Sequence, residues 1–215
     1  ATDHDQESDC IHCPTGTYMD VGDGNVATEH DQPDDCKQCE KGTYQANTGQ
    51  TSCDVCVPGK YRDTPSTSDA YDGSSNNANL NDCIICPAAT YLEDDANPTA
   101  DKHDELNDCE DCPAGRYGVN TNSNVDDHNE LSDCTICGAG KYSEATKASD
   151  ESTCIICVGG KYLATNGIAT DHDQESDCIH CPTGTYMDVG DGNVATEHDQ
   201  PDDCKQCEKG TYQAN

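Results

Sequence analysis

The sequence predicts a small, disulfide-rich fold that is mostly irregular, with short β-hairpins and almost no helix, built as an elongated tandem-repeat rod. Two observations support this prediction. All 18 cysteines of the 215-residue chain lie in nine Cys-x-x-Cys pairs. Hydrophobic residues make up only 32% of the chain, cysteines included, and Trp and Phe are absent. Such a chain buries too little apolar surface to offset the entropy lost on folding, so cross-links must take the place of a core.

Each Cys-x-x-Cys pair begins a short repeat, and the repeats are numbered 1 to 9 in chain order. A tyrosine follows every pair at a constant distance, and a glycine lies two residues before it in every repeat except repeat 4, which has Ala89. The Gly-x-Tyr segment predicts a short strand after a turn in which the glycine adopts a positive φ. Ala89 is therefore expected to make this turn only with strain. The repeats begin near Cys10, Cys36, Cys53, Cys83, Cys109, Cys134, Cys154, Cys178 and Cys204.

A longer period lies above the short one. Residues 1–168 form one long period of seven repeats, and residues 169–215, which are identical to residues 1–47, start the next. This identity indicates either a recent duplication or a window from a longer array. Repeats of this size bury little surface individually, so we expect contacts mainly between adjacent repeats.

The charge of the chain excludes several classes of partner. The formal net charge is −32, from 43 acidic and 11 basic residues, so there is no basic surface for nucleic acid. No apolar run in this window is long enough to span a membrane.

Cysteine usage predicts a secreted or cell-surface protein. There is no Asn-x-Ser/Thr sequon for N-glycans, and O-glycans on the many Ser and Thr residues stay open.

Disulfides are the preferred interpretation of the cysteines, with two alternatives. Four-cysteine zinc sites usually join pairs about 15–20 residues apart, and few gaps here match. A redox dithiol is normally single and starts a helix. A bond inside a Cys-x-x-Cys pair would hold nothing distant together, so we predict bonds from the second cysteine of one pair to the first of the next. The predicted bonds are Cys13–Cys36, Cys39–Cys53, Cys56–Cys83, Cys86–Cys109, Cys112–Cys134, Cys137–Cys154, Cys157–Cys178 and Cys181–Cys204.

This scheme leaves Cys10 and Cys207 without partners. Cys207 corresponds to Cys39 and Cys10 to Cys178, so their partners would lie beyond the window. They are predicted to bond either beyond the window or between successive chains, head to tail. The alternative is a shortened chain with two idle thiols.

The recurrent tyrosines are predicted to pack over a disulfide or a neighbouring repeat, with the hydroxyl near solvent. Ligand binding is the alternative role. These tyrosines are Tyr18, Tyr44, Tyr61, Tyr91, Tyr117, Tyr142, Tyr162, Tyr186 and Tyr212.

Two polar residues recur before the cysteine pairs. Histidine lies six residues before the first cysteine in several repeats, and aspartate often lies directly before it. The histidines are expected to be turn residues, or else pH-sensitive hydrogen-bond donors. The aspartates are expected to cap the turn into the cysteine through a side-chain oxygen.

Catalysis has no recognisable motif, so we expect no enzyme activity and no cofactor. Ca²⁺ is the one candidate ion, with Asp20, Asp23 and Asn25 as candidate ligands because it prefers clustered oxygen donors. The alternative for these residues is a solvated acidic face.

The string Cys-x-x-Cys-Pro-x-Gly-x-Tyr, found at Cys10–Tyr18 and Cys109–Tyr117, resembles the ephrin-receptor-like cysteine-rich repeat. It is also similar to the first half of tumour-necrosis-factor-receptor cysteine-rich modules. The resemblance covers nearly the whole chain and implies an extracellular rod or stalk. The chain departs from the family pattern in its duplicated period, its acidity and its two cysteines per repeat.

Together these observations predict an extracellular structural repeat protein that forms or belongs to a surface filament and self-associates head to tail. The alternative is a cysteine-rich stalk or ligand-binding ectodomain of a receptor or adhesin. A metal-storing thiol array is a third class, and it would carry free thiols and bound metal.

Overall fold

The computed structural model describes residues 10–20, 33–63, 82–94, 97–119, 124–187 and 194–213. Within these ranges the regular structure consists of strands of two or three residues and 3-10 turns of three residues, with no α-helix. The predicted fold class, a small disulfide-rich and mostly irregular fold with short two-stranded pieces, is confirmed. No helix in these ranges is long and apolar enough to cross a membrane.

The strands form antiparallel pairs that follow one rule. The strand that carries the tyrosine of one repeat pairs with the strand at the cysteine pair of the next repeat. In repeat 6, for example, Tyr142 lies opposite Ile155 of repeat 7. The pairs are β1 (Thr17–Met19) with β2 (Cys36–Gln38), β3 (Thr43–Tyr44) with β4 (Asp54–Val55), β5 (Lys60–Tyr61) with β6 (Ile84–Ile85), β7 (Thr90–Tyr91) with β8 (Glu110–Asp111), β9 (Arg116–Gly118) with β10 (Cys134–Ile136), β11 (Lys141–Tyr142) with β12 (Ile155–Ile156), β13 (Lys161–Tyr162) with β14 (Ile179–His180) and β15 (Thr185–Tyr186) with β16 (Lys205–Gln206).

A tight turn precedes the tyrosine strand. In repeat 4 the hydroxyl of Thr90 donates to the carbonyl of Pro87 at 2.7 Å, and the Thr90 N–H donates to the same oxygen at 3.2 Å. Thr43 makes the same pair of bonds to Glu40. The turn satisfies backbone groups that a two-residue strand cannot pair.

Turns of 3-10 type lead into the cysteine pairs, and the aspartate before the cysteine caps them. The Asp133 carboxylate accepts the N–H groups of Asn129 and Glu130 at 2.8 and 2.9 Å, and Asp177 and Asp203 act alike. The capping role expected for these aspartates is confirmed. The 3-10 turns are Pro33–Asp35, Ala100–Lys102, Leu106–Asp108, Val125–Asp127, Leu131–Asp133, Glu151–Thr153, Ala169–Asp171, Glu175–Asp177, Ala195–Glu197 and Pro201–Asp203.

The chain divides into two compact units. The first comprises Ala1–Cys86 and Leu92–Cys109, and the second comprises Pro87–Tyr91 and Glu110–Asn215. The first unit contains a buried cluster of Tyr61, Leu92 and the Cys86–Cys109 disulfide. The second contains two clusters of the same kind, built on Cys112–Cys134 and on Cys157–Cys178. Sulfur and one aromatic ring thus replace the usual apolar core.

Candidate functional site: the junctions between repeats

The cysteines form one continuous series of bonds. Each disulfide joins the second cysteine of one repeat to the first cysteine of the next, and these are the eight pairs of the staggered scheme. Their Cα atoms lie between 5.6 Å (Cys13–Cys36) and 6.0 Å (Cys56–Cys83) apart, within the usual range for a disulfide. Every repeat from 2 to 8 is therefore bonded covalently to both of its neighbours.

The glycine before each tyrosine connects adjacent repeats through its backbone. Gly140 has a φ of 75°; its N–H donates to the carbonyl of Leu163 at 2.7 Å, and its carbonyl accepts the N–H of Cys157 at 2.9 Å. Gly42 makes the same two contacts, with Arg62 and Cys56. Positive φ orients both groups toward the next repeat, which explains the preference for glycine.

Space as well as backbone angle restricts this position. A Cβ on Gly42 would collide with the carbonyl oxygen of Ala100, two repeats further on. Gly115 and Gly140 face Ala169 and Ala195 in the same way. A methyl group at these positions would force apart backbone of repeats n and n+2. Contact between repeats thus extends beyond the adjacent ones that the sequence led us to expect.

Ala89 makes the same turn with a φ of 61° and is 1% exposed. The strain expected at this position is thus present, since φ is in the left-handed region. One difference makes room for its methyl group, and a second makes room for its backbone. The loop two repeats on, between Tyr142 and Cys154, is short and contains no Ala-x-x-His turn. In addition, the residue after the tyrosine of repeat 5 is Gly118, and a Cβ there would lie 2.7 Å from the Cα of Ala89.

Three of the recurrent tyrosines, Tyr61, Tyr91 and Tyr142, pack against disulfides. Tyr142 is 8% exposed and lies in one cluster with Leu163 and the bonded Cys157 and Cys178. Burial raises the pKa of the Tyr142 hydroxyl, and the nearby Glu175 and Glu144 carboxylates add to the effect.

The packing varies along the series. Tyr61 is 8% exposed, and burial together with Asp63 raises the pKa of its hydroxyl. The Tyr91 hydroxyl donates to Glu110 at 2.7 Å. Tyr186 and Tyr212 are 40% and 87% exposed. Tyr18, Tyr44, Tyr117 and Tyr162 are partly buried.

Buried histidines form a second connection between adjacent repeats. The Nδ1 atom of His172 lies 2.8 Å from the carbonyl oxygen of Lys141, and the His172 carbonyl accepts the N–H of Ser143 at 2.9 Å. The histidine thus forms hydrogen bonds with both residues that flank Tyr142. A carbonyl only accepts, so Nδ1 must carry the proton.

The same arrangement recurs, with the histidine ring at most 1% exposed in each case. The Nδ1 contacts are His103 with Lys60, His128 with Thr90, His172 with Lys141 and His198 with Lys161.

The second ring nitrogen distinguishes His103 from the others. Its Nε2 atom lies 2.6 Å from the Asp94 carboxylate. The Nε2 atoms of His128, His172 and His198 are buried and have no hydrogen-bond partner among the described residues.

The sequence contains a pattern that indicates these contacts, and interpreting the histidines as turn residues did not use it. In the loops that form them, an alanine or valine lies three residues before the histidine and the first cysteine lies six after it. The alanine lies against the glycine that precedes a tyrosine, and the histidine forms a hydrogen bond with a tyrosine strand. The expectation that the histidines are turn residues is correct, since each of these four ends a 3-10 turn, and each also donates through Nδ1. Their pH sensitivity stays a prediction.

Cys10 and Cys207 are free thiols, the first exposed and the second partly buried. Each stands beside a bonded cysteine of its own pair, Cys13 and Cys204. The bonds predicted for them beyond the window or between chains remain predictions.

The candidate calcium ligands are only partly described. The Asp20 carboxylate lies 2.8 Å from the Lys37 ammonium group, while Asp23 and Asn25 lie outside the described residues. A separate acidic group, Asp104, Glu105 and Asp108, is close enough to hold an ion. Asp108 already accepts the Glu105 N–H as a turn cap, so this group has a structural role.

Comparison with known proteins agrees with this geometry. Residues 28–72 match the sequence model of a family described as tyrosine-protein kinase ephrin type A/B receptor-like. No curated protein matches the chain. The matched segment contains repeat 2 and most of repeat 3, and the tyrosine and disulfide pattern of these repeats continues to repeat 8. The chain is therefore a tandem array of cysteine-rich repeats that resemble the ephrin-receptor-like repeat.

Proposed function

We propose that the chain is an extracellular structural protein that belongs to a surface filament, in which the disulfide series carries tension. The observation that carries this proposal is the unbroken series of eight disulfides between successive repeats. Disulfides persist in oxidising surroundings outside the cell, and the ephrin-receptor-like match points to the same location.

The exact recurrence of residues 1–47 as 169–215 supports assembly along an axis. Identical segments present identical surfaces, and identical surfaces repeated head to tail generate filaments when the rotation does not close a ring. Cys207 is the second cysteine of its pair and Cys10 is the first of its own. A Cys207–Cys10 bond between two chains would therefore have the same polarity as the bonds within the chain.

The charge of the chain fits this role. A net charge of −32 makes chains repel each other sideways and keeps them soluble. Growth is thereby favoured along the axis, where the covalent and hydrogen-bonded contacts lie, and salt should promote lateral bundling by screening.

The test is assembly of the purified, oxidised chain without any partner. We expect fibres in electron micrographs and a ladder of linked species on non-reducing gels. Cys10→Ser and Cys207→Ser should each abolish the ladder, while a Lys37→Ser substitution at an exposed position should leave it intact. A monodisperse species under all these conditions would contradict the proposal.

The family match favours a second candidate, the cysteine-rich stalk or ligand-binding ectodomain of a receptor or adhesin. Such a domain would stay monodisperse and would bind a protein ligand. The same experiment therefore distinguishes the two, because only the filament assembles alone.

A further inference from the structure

The order of the disulfides defines a covalent path that avoids most of the chain. Each Cys-x-x-Cys segment links the disulfide that arrives from the previous repeat to the one that leads to the next. The shortest path from Cys10 to Cys207 therefore runs through eight disulfides and nine Cys-x-x-Cys segments. The loops with the tyrosines and histidines lie off this path.

We propose that this path limits the maximum extension of the chain under tension. The loops closed by the disulfides contain further length, and thiol reductants release it stepwise, one disulfide at a time. The proposal rests on the load-bearing role given above, which it makes specific. Tension between the two ends passes through the disulfides and through the four-residue Cys-x-x-Cys segments. The loops carry none of it, and they gain length only when their own disulfide opens.

The limit follows from the geometry. Each disulfide spans 5.6 to 6.0 Å between Cα atoms, and extended backbone spans about 3.5 Å per residue. The oxidised path from Cys10 to Cys207 is then at most about 140 Å long, whereas the fully reduced backbone between them reaches about 690 Å. Reduction should therefore lengthen the chain about fivefold.

The unloaded loops also protect the sulfur atoms. Most bonded cysteines are less than 9% exposed, and Tyr142 and Leu163 cover Cys157 and Cys178. Cys53, Cys181 and Cys204 are only partly buried. Disulfides Cys39–Cys53 and Cys181–Cys204 should therefore react first, because exchange requires access to a sulfur atom.

The chemistry is ordinary thiol–disulfide exchange with a dithiol as the reductant. A dithiol thiolate attacks one cystine sulfur, the S–S bond breaks, and the second cysteine leaves as a thiolate. The second thiol of the reagent then attacks the mixed disulfide, forms a cyclic disulfide and releases the first cysteine. The reagent is oxidised by two electrons, and the cystine is reduced to two thiols.

The test is single-molecule stretching of the full chain between terminal handles, with dithiothreitol as the probe. We expect the oxidised chain to stop at about 140 Å between Cys10 and Cys207, plus the constant length of the tails. Adding the probe at constant force should give eight steps. Their sizes should follow the sequence separations, from about 45 Å for Cys39–Cys53 to about 90 Å for Cys56–Cys83.

Two double variants provide a matched comparison without reductant. Cys56→Ser with Cys83→Ser should add about 90 Å to the oxidised limit, and Cys39→Ser with Cys53→Ser about 45 Å, because the loops differ in length. The limit is measured at high force, so the result does not require the variants to keep their folded structure.

An oxidised chain that extends to several hundred ångströms would overturn the proposal, since this is the result for bonds inside each Cys-x-x-Cys pair. Equal gains in the two variants would overturn it as well. The readout uses one molecule, so it is separate from filament assembly. A chain that shows the limit but forms no fibres would overturn the proposed filament alone.

Discussion

At the scale of single residues, the glycine before the tyrosine shows how backbone angle and space act together. Its positive φ suits glycine, but Ala89 tolerates a φ of 61°. The residue that lies against Ala89 differs in repeat 5. Gly118 follows the tyrosine there, whereas Leu92 and Leu163 follow it in repeats 4 and 7. A side chain at position 118 would crowd the backbone of this turn, because its Cβ would lie 2.7 Å from the Cα of Ala89.

This pairing predicts a measurable coupling. Gly118→Ala should destabilise the protein by about 1–3 kcal/mol, because its Cβ would lie 2.7 Å from the Cα of Ala89. Adding Ala89→Gly should recover part of this cost, because glycine tolerates a wider range of φ and lets the crowded backbone shift, although the Cα and N atoms that the new Cβ meets remain. Denaturant unfolding of the two single variants and the double variant gives the coupling energy. Additive effects would show that the two positions are independent.

A second residue-scale prediction concerns pH. Burial raises the pKa of the Tyr142 hydroxyl in the folded chain, so the folded state holds this proton more tightly than the unfolded state. The resulting stability is fully present below the ordinary tyrosine pKa of about 10 and is lost as the pH rises through the folded value. The stability of wild type relative to Tyr142→Phe should therefore decrease as the pH rises above about 10.

Denaturant unfolding at several pH values measures this difference. A Cys10→Ser, Cys207→Ser background prevents alkaline thiolates from attacking the disulfides. Tyr212→Phe is the control, because Tyr212 is 87% exposed. A wild-type advantage over Tyr142→Phe that stays constant with pH would refute the argument.

At the scale of elements, a two-residue strand pair is too short to be stable alone. Each tyrosine strand therefore needs support on its other edge. The carbonyls of His103, His172 and His198 accept the N–H that follows the tyrosine in repeats 3, 6 and 7. In repeats 1 and 5, which face short loops, the carbonyls of Gln50 and Ala148 do so instead. The hydrogen bond from the histidine ring adds to this backbone contact, which is present with or without a histidine.

The additional contact should be worth a measurable amount. His172→Ala removes a fully buried ring and its bond to the Lys141 carbonyl, so we expect a loss of about 2–4 kcal/mol. Hydrogen exchange should speed up at Ser143, whose N–H donates to the His172 carbonyl. His180→Ala is the matched control, since His180 is exposed. Equal losses in both variants would show that burial of the ring is unimportant.

At the scale of the whole molecule, stability must come mainly from the cross-links. Each disulfide closes a loop of 14 to 27 residues, which is worth roughly 3–4 kcal/mol in the chain-entropy model. The hydrophobic clusters are small and each is built around a disulfide. Removing the bonds therefore removes the core as well.

Reduction of all the disulfides should consequently unfold the chain. Treatment with a thiol reductant should abolish protease resistance and near-ultraviolet circular dichroism, whereas a chelator alone should have no effect. Peptide mapping without reductant should recover the eight staggered pairs. Loss of structure with the chelator and retention with the reductant would instead indicate a metal-held thiol array.

The sequence alone determined the fold class and the staggered order of the disulfides, because cysteine spacing is a local property and a bond within each pair would hold nothing distant together. It also indicated the turn at glycine and the cap at aspartate, which depend on neighbouring backbone. Only the tertiary structure decided that His172 lies beneath the tyrosine strand, that Gly140 approaches Ala195, and that Gly118 lies against the backbone of Ala89. These contacts join residues more than twenty positions apart, and their geometry depends on how successive repeats are oriented, which no local spacing specifies.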